Sequence, residues 1–334
     1  MKYLWPLQRC AFLFLAFALL LSGCSQQAPK KVFYTWQGIG PDKWASIWLI
    51  NHYIDPEADI RFTKVNGVVE NAIAFDIPGS RYKRSSDQST IASLMTDFGI
   101  HDPVAMDMAQ IIYDIEVDFW GNNVHPRSSV VEDAFRGMQK HYGRDAVPDA
   151  CYVAFFANLY RLLADQKTRA LSADAFRKAL LPYPHCARQS LAFVRRDTGK
   201  LVEEIHIRDL LQQIKQGKRV VFVDAREDDE FDEFRIPNAI NIKLREVGPE
   251  LAGLLGDADT VVTYCLKDFR GYELARALQT RAGIDNVAIM RPYGINGWRE
   301  LGLPVEGSKA LEHELALARL DDCLGDIDRC LKVN

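Results

Sequence analysis

The chain reads as an α/β protein: a parallel sheet with helices on both faces in its second half, preceded by a mainly helical α+β region. Two observations predict this. In the second half, short apolar runs at Val220–Asp224, Ile240–Ile242 and Val261–Tyr264 alternate with helix-like stretches at Ile207–Gln216 and Tyr272–Leu278. Short buried strands alternating with helices build a parallel sheet covered on both faces. In the first half, most apolar residues instead fall at helical spacing, as in 104–117 and 150–164.

The 334 residues are 48% hydrophobic and 26% charged, the balance of a globular protein. The net charge of −4 gives no reason to expect nucleic-acid binding. Lys2 and Arg9 make a weakly basic start. The apolar run from Cys10 to Leu21 is short of the ~20 residues that a membrane span needs and suits a signal-peptide core. Leu21-Ser22-Gly23-Cys24 then resembles the bacterial lipoprotein cleavage box. That resemblance implies cleavage before Cys24, a lipid on Cys24 and a membrane tether through it. Ser25 implies outer-membrane sorting, so the expected place is the cell envelope, facing the periplasm. An uncleaved anchor helix and an ordinary signal peptide are the alternatives. Residues 24–31 read as a polar tether. The remaining chain is long enough for two domains. Their expected bounds are 32–185 and 203–307, with a linker at 186–202 and a tail at 308–334.

The first domain begins with Phe33-Tyr34-Thr35-Trp36, a strand that belongs in a core. Lys43 to Tyr53 spaces tryptophan, leucine and isoleucine over one helix face, with Asp42 as the expected N-cap and Asp55-Pro56 as the stop. Val104 to Val117 starts just after Pro103, where proline suits a first turn. Ala150 to Ala164 is apolar and helical, and Ser172 caps a helix to Leu181 that Pro182 and Pro184 end. The motifs Pro41-Asp42-Lys43-Trp44, His52-Tyr53-Ile54-Asp55-Pro56, Ala74-Phe75-Asp76-Ile77-Pro78-Gly79 and Phe98-Gly99-Ile100-His101-Asp102-Pro103 stand in order. Together they resemble the chromate-resistance domain, the C-terminal half of chromate-responsive regulators, which implies a link to oxyanion or oxidative stress.

Ionisable groups gather here too. His52 with Asp114, Glu116 and Asp118 are candidate ligands for a divalent metal such as manganese, iron or zinc. Asp114 and Asp118 share a helix face. The alternative is a solvated acidic face with capping roles. Lys43, Arg81, Lys83 and Arg84 are cations that an oxyanion would meet, or simply solvated ones.

In the second domain Cys265 ends the run Val261-Val262-Thr263-Tyr264 and opens Leu266-Lys267-Asp268-Phe269-Arg270-Gly271, with a helix-like stretch next. Backbone N–H groups at a helix start attract an anion and lower a thiol's pKa. Upstream stand Val223-Asp224-Ala225-Arg226, Glu230-Phe231 and Arg235-Ile236-Pro237-Asn238-Ala239; downstream, Gly294-Ile295-Asn296-Gly297-Trp298 and Gly302-Leu303-Pro304-Val305. In this order they resemble the rhodanese (sulfurtransferase) domain over about Glu203 to Glu306.

The resemblance makes Cys265 the persulfide-forming nucleophile. Arg270, Lys267, Leu266, Asp268, Phe269 and Gly271 would bind the substrate, with Asp224 and Arg226 supporting the loop. The implied reaction is transfer of sulfane sulfur from a small sulfur-containing anion such as thiosulfate, through Cys265, to a thiol or cyanide. It requires no cofactor. The Cys-x4-Arg loop is one residue shorter than that of related phosphatases, which disfavours phosphate chemistry. Asp268 departs from the pattern, because family loops commonly carry a small residue there and a carboxylate opposes a thiolate. Gly271 stands where serine or threonine is common, and Arg235 where histidine is usual. Asp268 favours the rival reading, a non-catalytic lipoprotein that binds or senses an oxyanion or redox signal in chromate or oxidative stress. A thiol exchanging disulfides with a partner is a further rival.

Outside the cytosol, the odd number of cysteines left after Cys10 and Cys24 fits two disulfides and one reactive thiol. The expected bridges are Cys151–Cys186 and Cys323–Cys330, leaving Cys265 free; the alternative keeps Cys151 as a reduced core residue.

Overall fold

A computed structural model describes residues 30–118, 123–181, 186 and 202–331. The proposed leader, Cys24, the tether up to residue 29 and most of the expected linker lie outside the described residues.

The first domain is mainly helical around a small parallel sheet. Strands β1 (Val32–Trp36), β2 (Asp59–Thr63) and β3 (Ile73–Ala74) run in the order β2-β1-β3. Helices α1 (Pro41–Leu49), α2 (Thr90–Asp97), α3 (Pro103–Glu116), α4 (Ser128–Tyr142), α5 (Asp149–Ala164), the short α6 (Gln166–Arg169) and α7 (Ala173–Leu180) pack over it. Asp102 caps α3 by accepting from the N–H groups of Val104 and Ala105, and Ser172 caps α7 through Ala175. The core is aromatic: Trp44 stacks on Tyr152 with ring centroids 4.5 Å apart, and Phe135 packs against both Tyr152 and Phe155.

One expectation here is corrected. Asp42 does not cap its own helix, whose N-cap is Gly40; it lies fully buried in the first turn of α1. Its oxygens accept from the N–H groups of Thr90 (2.7 Å) and Ile91 (3.0 Å), so it caps α2 across space. The helix also ends earlier than expected, passing at Ile50 into a π turn that runs to Ile54.

The second domain holds a five-stranded, all-parallel sheet, β4 (Glu203–His206), β5 (Val220–Asp224), β6 (Ile240–Asn241), β7 (Thr260–Tyr264) and β8 (Val287–Arg291), in the order β4-β8-β7-β5-β6. Valine and threonine make up most of β5 and β7, as expected of strands buried on both faces. Helices α8 (Ile207–Lys215), α9 (Asp228–Glu233), α10 (Leu251–Leu255), α11 (Phe269–Ala277) and α12 (Gly294–Glu300) flank the sheet. Beyond them, α13 (His313–Gly325) and α14 (Ile327–Cys330) fold back, and Leu320, Cys323 and Ile327 join the core beside Leu210 and Leu211 of α8.

Cys151 is bonded to Cys186 and Cys323 to Cys330, while Cys265 is a free thiol. Among the described residues no helix is long and apolar enough to cross a membrane.

Candidate functional site

The central strand β7 ends at Tyr264, and α11 begins at Phe269. The turn between them is tight because Gly271 lets the helix settle on the strand end. A Cβ there would lie 2.9 Å from the Cα of Tyr264. Thr263 Oγ1 ties the same glycine's carbonyl oxygen at 2.9 Å. The loop is also pinned from α12, where the N–H of Ile295 donates to the Cys265 carbonyl (2.9 Å) and that of Asn296 to the Leu266 carbonyl (3.1 Å). Gly294 makes this approach feasible: its φ is +65°, and a Cβ would collide with the carbonyl oxygens of Leu266 and Lys267.

Cys265 therefore sits at the C-terminal end of the central strand, where open α/β sheets place their ligands. It is 2% exposed. Burial pushes its thiol pKa up, opposed by the Arg270 guanidinium; the Glu116 charge raises it further, while the Gly271 N–H lowers it. Arg270 holds Glu230 through two hydrogen bonds of 2.7 Å, and its Nε has no partner among the described residues. Burial works against ionisation of Glu230, yet Arg270 outweighs it and holds the carboxyl at about 2.

Asp224 and Arg226 form a fully buried pair at 2.7 Å. Arg226 also donates to the carbonyl of Phe234 (2.6 Å), and Asn241 Nδ2 donates to the carbonyls of both Asp224 and Arg226. The pair thus secures the exit of β5. Support reaches the base of the Cys265 loop through Tyr264, whose hydroxyl accepts the Ile236 N–H and whose carbonyl accepts the Ala225 N–H.

Three of the loop's other side chains, Lys267, Asp268 and Phe269, are used in docking the two domains. Leu266 enters the second domain's core. Lys267 lies 3.4 Å from Glu132 of α4. Phe269 is buried in the first domain's core, against Phe135 (5.8 Å) and under the Arg136 guanidinium (4.6 Å). Asp268, 1% exposed, is gripped by Arg136 and Arg144. Burial alone would raise its pKa, but the two arginines together hold it below the usual carboxylate value. As the sequence leads one to expect, the Asp268 charge still raises the Cys265 thiol, although two arginines of the first domain pair with it. Further ties run from Ile39 N–H to Glu273 (2.5 Å) and from the Tyr272 hydroxyl to Asp145 (2.9 Å).

Between the domains lies a cavity of about 130 Å3, with Gly40, Lys83, Arg84 and Glu116 from the first domain facing Glu230 and Arg270 from the second. Arg84 Nη1 donates to Glu116 Oε2 at 2.7 Å, and Lys43 pairs with Asp76 at 2.7 Å. Burial raises the Glu116 carboxyl to about 7 despite Arg84. Of the four basic residues singled out in the sequence, Lys43, Lys83 and Arg84 line this cavity, whereas Arg81 pairs with Asp97 at the surface.

The proposed metal ligands do not converge, and among the described residues no three His, Cys, Asp or Glu side chains form a metal-holding group. His52 stacks on Trp48 (4.9 Å). Asp114 accepts from Gln110, the His125 N–H and Ser128 Oγ, which ties α3 to the start of α4. Glu116 faces Arg84, and the Asp118 carbonyl accepts from Asn296. The Asp114 carboxylate thus serves a hydrogen-bond network and that of Glu116 an ion pair. Sequence reasoning missed Arg136, Arg144 and Glu132, whose roles depend on a domain remote in sequence.

A five-stranded parallel sheet with a cysteine loop at its central strand defines a rhodanese-like domain, and residues 207–301 match the model of the rhodanese-like domain family. Residues 33–163 match the family described as ChrB, C-terminal domain, so the chain joins a ChrB C-terminal domain to a rhodanese-like one. The chain is 33% identical over 110 residues to the HTH-type transcriptional regulator Rv0324 of Mycobacterium tuberculosis, spanning 31% of this chain and 45% of that protein. It is 29% identical over 118 residues to arsenate reductase 2.1 of Oryza sativa subsp. japonica, spanning 32% of this chain and 73% of that one. Among solved structures, the BH2092 protein from Bacillus halodurans aligns at 27% identity and a TM-score of 0.29, over 33% of this chain and 82% of that one. A thiosulfate sulfurtransferase from Pseudomonas aeruginosa aligns at 22% identity and a TM-score of 0.29, over 36% and 24%.

Proposed function

We propose that the protein is a sulfurtransferase that moves sulfane sulfur from an anionic donor such as thiosulfate, through a Cys265 persulfide, to a thiol or cyanide. The observation that carries this reading is the free Cys265 at the end of β7; burial raises its thiol, and the Arg270 guanidinium and the Gly271 N–H oppose that rise. In the first step the thiolate attacks the outer sulfur of the donor. The new S–S bond forms as the donor's S–S bond breaks, and sulfite leaves with the electron pair. In the second step the acceptor takes the outer sulfur and returns the thiolate. The ChrB C-terminal domain closes over the loop at rest, so loading requires the Asp268 clamp to loosen.

The burial of that same thiol favours a second reading: a binding or sensing protein for an oxyanion or redox signal in chromate or oxidative stress. A thiocyanate-forming assay with thiosulfate and cyanide separates the two. The sulfurtransferase reading expects activity in the wild-type protein and none in Cys265→Ser. An inactive wild-type protein with a titratable Cys265 supports sensing.

We also propose, from the cleavage box at Leu21–Cys24, a lipid-anchored protein of the envelope that faces the periplasm. Cys24→Ser should move it from the membrane fraction to the soluble fraction, and an unchanged distribution would contradict the anchor.

A further inference from the structure

Two residues that line the cavity, one from each domain, each carry a buried polar atom without a partner among the described residues. Glu116, at the end of α3, is 3% exposed; its Oε2 accepts from Arg84, and its Oε1 has no hydrogen-bond partner among the described residues. Across the cavity, Arg270 spends Nη1 and Nη2 on Glu230 and leaves Nε unpartnered. At the rim stands Lys83, with no ion-pair partner among the described residues. Gly40 lets the chain pass close to the carboxylate, because a Cβ there would stand 2.9 Å from Glu116 Oε1.

A buried acceptor without a donor costs about 1–3 kcal/mol, and a ligand that donates to it offsets that cost. Glu116 Oε1 calls for a donor, while Arg270 Nε and Lys83 call for an anionic group. A small molecule carrying both a proton donor and a carboxylate meets all three. The cavity also adjoins the cysteine loop through Arg270, and the Glu116 charge is felt at Cys265. If Cys265 carries a persulfide, the donor that completes a sulfur transfer is a thiol.

We propose that this cavity is the acceptor subsite, that it takes a low-molecular-weight thiol bearing a carboxylate, and that Glu116 is the base that removes the thiol proton. This rests on the sulfurtransferase reading. The acceptor RSH gives its proton to the Glu116 carboxylate. The thiolate RS− then attacks the outer sulfur of the Cys265 persulfide, Cys–S–SH. A new S–S bond forms, the bond to Cys265 Sγ breaks, and its electron pair remains on Sγ. The products are RS–SH and the Cys265 thiolate, with the proton released from Glu116 to solvent; no oxidant or reductant is consumed. Burial, which raises the Glu116 carboxyl to about 7, suits a base working near neutrality.

The test uses single-turnover discharge of persulfide-loaded protein. In Glu116→Gln, loading by thiosulfate should not slow, since a negative charge near the thiol is removed. Discharge to 3-mercaptopropionate should fall at least about tenfold, with loss of an inflection near pH 7. Discharge to cyanide anion, which has no proton to lose, should hold. Equal thiol discharge in both proteins, or a parallel fall with cyanide, would overturn the role of Glu116. A wild-type protein that never loads would overturn the sulfurtransferase reading instead. The subsite is then read by calorimetric titration of 3-mercaptopropionate into Cys265→Ser. Binding that weakens in Cys265→Ser/Glu116→Gln supports it, and no binding overturns it.

Discussion

Arg270 and Glu230 bind each other at the back of the cysteine loop, and the pair sets how much positive charge the thiol feels. Glu230 is mostly buried, with its carboxyl held at about 2 against an ordinary value of 4.5. A depressed acid stabilises the fold above its unfolded pKa and loses that contribution as pH falls through the folded one. Glu230→Gln should therefore cost on the order of 3 kcal/mol at neutral pH. By denaturant titration, the difference from wild type should shrink as pH falls from 4.5 toward 2. The same substitution frees Arg270 and should lower the Cys265 thiol pKa, seen in the pH dependence of alkylation. At this scale the two bridges and the free Cys265 were legible, because an odd number of cysteines outside the cytosol leaves one thiol over. The clamp on Asp268 was not legible, since its sequence neighbours reveal only the charge that it carries and not the two arginines that pair with it.

Elements were the most legible level. The apolar runs of β5 and β7, the Pro103 start of α3 and the Ser172 cap of α7 all obey local rules that the tertiary fold leaves intact. Asp42 was misplaced for the opposite reason: a capping carboxylate is recognisable, but which helix it caps depends on a contact with Thr90. The packing of α11 on β7 gives a prediction of its own. In Gly271→Ala the new Cβ would meet backbone at Tyr264, which cannot move aside cheaply. A loss of about 1–3 kcal/mol is expected. Thermal melting should show it, and an unchanged melting temperature would mean that the helix is free to lift off the strand.

Over the whole molecule, the rhodanese-like domain does not present its loop to solvent. Phe269 crosses into the aromatic core of the first domain, and Asp268 is clamped by Arg136 and Arg144. None of this was legible, because more than a hundred residues separate the partners and each of the charges looks like an ordinary surface one. Removing both arginines leaves a buried carboxylate without its cations, which costs about 3–5 kcal/mol for a broken buried pair. Arg136→Ala/Arg144→Ala should thus be less stable and should let iodoacetamide reach Cys265 faster than in wild type. Equal alkylation rates would mean that the first domain does not gate the thiol.

The most direct test of the central claim, that Cys265 accepts sulfane sulfur, is intact-mass and peptide mass spectrometry after treatment with thiosulfate. One added sulfur atom on the peptide carrying Cys265, removed by cyanide and missing in Cys265→Ser, is the predicted result. An unmodified Cys265 peptide from folded wild-type protein, under conditions in which iodoacetamide does label that thiol, would contradict it.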